Sequence, residues 1–182
     1  GGMNGGLMLT SLAGGLDQWT DRVDVTVPRL MTGSATTAAF TSTNVYLYRF
    51  QLARPLLVTK IALYCGATVV ASSIDLGIYT GTTTGATFTR AASTAPFTPT
   101  INAATERALS ASIALDGGTP YWVAIGVNDG TDTILRVSTP GANGDAGNAA
   151  LVKAGVWSSG LPATVSTPAG ANVVPWLSLV TT

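Results

Sequence analysis

The sequence predicts an all-β fold, an antiparallel sandwich or barrel. Three observations carry this expectation. Short apolar segments alternate with polar or small residues at period 2, the pattern of half-buried strands. Clusters of Gly, Pro, Asn and Asp separate those segments, and the 182 residues include 21 Gly and 9 Pro. No sustained helical periodicity is present. The one weak candidate, residues 103–111, reads better as a strand from Leu109 onward.

The elements follow in chain order. Residues 1–20 form an extended arm, with Gly1, Gly2, Gly5, Gly6, Gly14 and Gly15 set among Leu7, Met8, Leu9, Leu12, Leu16 and Trp19. Each Gly costs a helix about 1 kcal/mol relative to Ala, so an extended form is expected. The apolar side chains need a surface, either on their own domain or on a neighbouring subunit. Residues 21–43 comprise a first strand and a linker. Val23, Val25 and Val27 alternate, Pro28 ends the strand or marks an edge, and 32–43 is a run of small residues.

The sandwich domain is expected over 44–182. Residues 45–50 are aromatic and β-branched. Residues 56–65 follow Arg54-Pro55. Ile74, Leu76 and Ile78 alternate with Asp75, Gly77 and Tyr79, and 81–85 is a turn. Residues 88–92 form a short strand, and Pro96 and Pro99 bracket an irregular connection. Leu109, Ala111, Ile113 and Leu115 alternate, then Asp116-Gly117-Gly118-Thr119-Pro120 turns the chain into Tyr121, Val123, Ile125 and Val127. Asn128-Asp129-Gly130 closes that strand. Residues 134–138, 151–157 and 172–180 supply the rest, with a Gly/Pro-rich loop over 139–148. The count is about eight strands.

Composition narrows the function. Only 10% of the chain is charged, against about 25% in an average protein. Lys+Arg and Asp+Glu number 9 each, giving zero net charge. Scattered cations provide no footprint for nucleic acid and no draw to an anionic membrane. Little repulsion keeps copies apart, which suits a subunit of an assembly. The chain has no His, which removes the commonest general base and most zinc sites. Cys65, in an apolar run, reads as a buried inert thiol. Asp75 is the one acid inside a clear strand, and it is expected to face solvent or cap a neighbouring backbone. No signal peptide, apolar span or glycosylation sequon is recognisable. Enzymatic activity is not expected.

No cofactor is expected. Asn128, Asp129 and Asp132, and again Asn143, Asp145 and Asn148, are oxygen side chains of the kind that suits Ca²⁺. Neither stretch has the full loop spacing, and Asx residues make turns by bonding their own backbone. Among the aromatics, most are expected in the core or between subunits. Trp157, beside the turn Ser158-Ser159-Gly160, is the best placed to offer an exposed stacking face. With Asp129 and Asn143 it forms a candidate glycan-contact set.

Three stretches together resemble small β-sandwich proteins of bacteriophage particles. They are Tyr48-Arg49-Phe50 leading to Val58-Thr59-Lys60-Ile61-Ala62, Ile74-Asp75-Leu76-Gly77-Ile78-Tyr79, and Leu115-Asp116-Gly117-Gly118-Thr119-Pro120-Tyr121-Trp122-Val123-Ala124. In the second, Gly77 lets a neighbour pack closely while Tyr79 turns to the face opposite Ile78. The resemblance covers roughly residues 44–127. It implies a jelly-roll-like sandwich on a virion surface, in contact with other virion proteins and in a homo-oligomer, with a trimer favoured. A capsid decoration role anchored by the arm is the first expectation. A carbohydrate-binding tip of a tail or head fibre, meeting a host surface glycan, is the alternative. The resemblance carries no binding residue across.

Overall fold

A computed structural model describes residues 18–19, 22–26, 36–81, 87–138, 150–171 and 173–182. Every regular element among them is a strand. In chain order they begin with β1 (Gln18–Trp19), β2 (Arg22–Asp24), β3 (Thr36–Ala39), β4 (Val45–Gln51) and β5 (Leu56–Cys65). Next come β6 (Ile74–Thr80), β7 (Thr87–Ser93), β8 (Ala103–Leu115), β9 (Pro120–Val127) and β10 (Thr133–Ser138). The last are β11 (Ala150–Lys153), β12 (Thr164–Ser166), β13 (Ala169–Gly170), β14 (Val173–Pro175) and β15 (Leu177–Val180). The expectation of an all-β antiparallel sandwich holds, with more and shorter strands than anticipated.

The strands form two antiparallel sheets. Sheet A has eight strands, running β1-β2-β15-β5-β10-β14, with β3 also on β10 and β8 on β5. Sheet B has seven, in the order β12-β7-β6-β9-β4-β11-β13. Several elements depart from the sequence reading. The small-residue stretch 32–43 contains β3, which pairs Ala39 with Thr133 and Thr36 with Arg136. Residues 103–108 are strand, paired from Lys60–Ala108 to Cys65–Ala103. The segment 172–180 breaks at Trp176, so β14 joins β10 while β15 joins β5 and β2. The last residues of the expected arm, Gln18 and Trp19, pair with Val23 and Arg22.

Period-2 alternation sorts side chains between two layers. Tyr46, Tyr48 and Phe50 of β4, Ile74, Leu76 and Ile78 of β6, and Tyr121, Val123, Ile125 and Val127 of β9 point into the main core. From sheet A they meet Val58, Ile61, Leu63, Cys65, Leu177 and Leu179. Burying such side chains is worth about 1.5–3 kcal/mol each relative to exposure. Phe40 packs edge-on to Tyr46 at 4.8 Å, and Tyr48 Oη donates to Val173 O at 2.9 Å across the sheets.

The other face of sheet A carries a small cluster of Ala62, Trp176 and Val180. The Arg22 guanidinium lies 5.9 Å from the Trp176 ring centroid and pairs with Glu106, which Lys60 also approaches. Exposed ion pairs like these contribute little to stability.

Sheet B is strongly curled, and chain length requires it. β12 and β13 stand at opposite ends of the strand order, yet only Thr167 and Pro168 separate Ser166 from Ala169. Three Cα steps reach at most about 11 Å. Six strand spacings in a flat sheet would total about 29 Å. Sheet A covers one face, so the curl closes around the other. That hollow face is lined by Val45, Leu47, Tyr79, Phe88, Trp122 and Ala124.

Candidate functional site

Residues 154–163 leave β11, the strand next to one margin of sheet B, and reach β12 at the other margin, crossing the hollow face as a plug. Trp157 and Leu161 of the plug, with Val165 of β12, complete the apolar cluster there. Trp157, expected on the surface, is only 4% exposed. The reason lies in β9. Gly126 has no side chain, and an ideal Cβ there would stand 2.6 Å from Trp157 Nε1, inside contact distance. The indole occupies the room that Gly126 leaves. Gly77 does the same for Leu161, whose Cδ1 would be 2.7 Å from a Cβ. This bears out the close packing expected at Gly77. Tyr79 lies on the hollow face, opposite Ile78, as anticipated.

Polar side chains of sheet B pin the plug backbone. Asp75 is 1% exposed, so the solvent-facing option is corrected and the backbone-capping one holds. Its Oδ2 accepts from Leu161 N at 2.8 Å and its Oδ1 from Thr94 Oγ1 at 2.9 Å. Arg90 Nη1 donates to Leu161 O, Arg90 N donates to Ala163 O, and Tyr79 Oη donates to Pro162 O at 2.6 Å. Burial pushes the Asp75 carboxyl above its ordinary value, against the Leu161 and Thr94 hydrogen bonds and the Arg90 charge that oppose the rise. Burial likewise raises the Tyr79 phenol. Nothing in the spacing 75, 79, 90 and 161 reveals this network, because pairing of β6 with β7 sets Arg90 beside Tyr79 and the plug brings Leu161 over both strands.

The remaining candidate contacts scatter. Asp129 lies in the loop after β9, where its Oδ1 accepts from Thr131 N at 2.7 Å and from the Thr131 hydroxyl. Those bonds hold its carboxyl below the usual range. This is an Asx turn, as weighed against a metal loop. Asp132 turns the other way and is fully buried, with Oδ1 accepting from Val70 N at 2.6 Å. Burial raises its carboxyl, and the neighbouring Asp129 charge adds to the rise. Among the described residues no three His, Cys, Asp or Glu side chains gather as a metal group. Asn143, Asp145 and Asn148 lie outside the described residues, as do Leu7, Met8, Leu9, Leu12 and Leu16 of the arm. Of Trp19 only the backbone is described.

Cys65 is buried in the main core, and its thiol is pushed up to about 12, first by burial and then by the Asp132 charge. A thiol so rarely ionised is a poor nucleophile. A thiol-specific reagent in mildly alkaline buffer should leave Cys65 unmodified in the folded chain and label it fully in denaturant. Fast labelling without denaturant would contradict the burial.

A cleft of about 300 Å³ opens between the sheets, lined by Thr41, Asn44, Tyr46, Val152, Gly170 and Val173 among others. Among the described residues no charged side chain lines it. Tyr46 Oη accepts from Thr41 N, and Asn44 Oδ1 accepts from Gly155 N, so these polar atoms are already engaged within the fold. No protein-family model matches the chain, and no curated protein matches it.

Proposed function

We propose that this protein is a non-enzymatic structural subunit of a bacteriophage virion, a capsid decoration protein anchored by its N-terminal arm. One observation carries the reading. β1 is the outermost strand at one end of sheet A, so the residues before Gln18 are attached at the rim of the sandwich. An apolar, Gly-rich segment that precedes an outer strand suits docking on a partner. Zero net charge and the resemblance over residues 44–127 support crowding among copies of the same chain on a particle. The burial of Leu7, Met8, Leu9, Leu12 and Leu16 on a partner would supply affinity at about 25 cal/mol per Å², less the cost of ordering the arm.

The test is deletion of residues 1–17, which leaves every described strand in place. The truncated protein should unfold at the same denaturant concentration as the full chain and lose attachment to particles. Full occupancy by the truncated form would refute the anchoring role. The mass of the full chain in solution tests the homo-oligomer, with a trimer expected. The glycan-tip alternative has lost its stacking platform, because the Trp157 ring is packed against Gly126.

A further inference from the structure

Two Asp–Gly dipeptides lie among the described residues, Asp116–Gly117 and Asp129–Gly130. An aspartyl group followed by Gly can close on its own backbone. The Gly nitrogen attacks the side-chain carboxyl carbon, forming a C–N bond, and one water leaves as the succinimide ring forms. One water then reopens the ring at either carbonyl, giving aspartate or isoaspartate. No oxidant or reductant enters, and the product has the mass of the starting chain. Gly favours the closure because no Cβ shields its nitrogen. The neutral carboxyl is the competent electrophile, since a carboxylate is a poor acceptor for the nitrogen.

The two dipeptides differ in what holds the carboxyl. At Asp129, the Thr131 backbone N–H and hydroxyl both donate to Oδ1. Hydrogen bonds to the charged form favour that form. They also tie the group to Thr131, away from free rotation. Asp116 stands on the corner that carries the chain from β8 in sheet A to β9 in sheet B, and it is exposed. Its backbone N–H donates to Tyr121 Oη at 3.0 Å, while among the described residues no hydrogen bond reaches its carboxylate.

We propose that Asp116–Gly117 is a site of spontaneous isoaspartate formation, and that Thr131 guards Asp129–Gly130 against the same reaction. Isoaspartate routes the main chain through the Asp116 side-chain methylene, which adds one backbone atom to this corner. Ageing would thus loosen the link between the sheets at one defined corner. The inference is independent of any role on a particle.

The test is incubation of the full, folded chain in mildly acidic buffer at physiological temperature. Isoaspartate is then located by peptide mapping with isoaspartyl methyltransferase labelling. Isoaspartate at 116 should accumulate several-fold faster than at 129. Thr131→Val should raise the rate at 129 several-fold and leave 116 unchanged, whereas Thr131→Ser, which keeps the hydroxyl donor, should change neither. Thr131→Ala serves in place of Thr131→Val if the latter is not folded by circular dichroism. Deamidation at Asn143–Gly144 is separated by its change in mass. Equal rates at 116 and 129 in the unaltered chain would overturn the proposal. So would an unchanged rate at 129 in the folded variant lacking the hydroxyl.

Discussion

Replacing Trp157 by Ala should cost about 3–5 kcal/mol, the range for a buried Trp emptied into a cavity that cannot collapse. Collapse is blocked here because the floor of the site is the β9 backbone at Gly126, held between β6 and β4. The plug would lose its anchor on the apolar face while Asp75, Tyr79 and Arg90 still grip its distal half. Gly126→Ala approaches the same site from the other side. Its methyl group would overlap the indole, so either Trp157 is expelled or β9 shifts. Overpacking of this kind costs typically 1–3 kcal/mol. Urea unfolding followed by tryptophan fluorescence measures both. If the two single variants each unfold within about 0.5 kcal/mol of the parent, the span usual for surface substitutions, Trp157 is not the anchor.

Asp75→Ala is the second large effect. It strands the Leu161 N–H in a buried setting, leaves the Thr94 hydroxyl only its bond to Ala95 O, and removes the carboxylate facing Arg90. Leaving a buried polar group without its partner costs about 1–3 kcal/mol. With one buried donor left bare and a second losing a partner, a loss of about 2 kcal/mol is expected. Asp75→Asn should cost less, because the amide oxygen still accepts from Leu161 N. The pH dependence separates charge from packing. The folded carboxyl sits above its ordinary value of 3.8, so the folded state holds the proton more tightly than the unfolded chain. That contribution is fully present below 3.8 and is lost as pH rises through the folded value. Asp132 contributes with the same sign. Urea unfolding across this range should therefore show a fall in stability as Asp75 ionises, and Asp75→Asn should remove it. A variant whose pH profile overlays the parent would show that Asp75 does not titrate differently in the fold.

The legible part of the fold was the part written in local alternation. Residues 45–50, 74–80 and 120–127 each carry one side-chain set to the main core; aromatic and β-branched content identifies the first, and period 2 the other two, without help from distant residues. What stayed hidden depends on curvature and on partners far along the chain. β12 and β13 are too short to leave a periodic trace. β3 consists of Thr and Ala, which read as linker until β10 pairs with it. Trp157 follows a turn-like sequence, and its burial depends on an absent side chain at Gly126. A local reading does place Ser158-Ser159-Gly160 on the surface, but the indole beside them points inward. The one sequence signal for the plug was Gly77 and Gly126 on strands otherwise filled with large residues.

The position of β15 has a consequence for folding. This strand, Leu177–Val180, lies between β2 and β5, so the middle of sheet A is assembled from segments far apart in the sequence. β12 and β13, which close the curl of sheet B, likewise come after every other strand of that sheet in chain order. Until these late segments dock, β2 and β5 each lack a neighbour and the hollow face of sheet B is without its plug. Such a long-range topology folds slowly. While it does, the bare strand edges of one copy are templates for pairing with another.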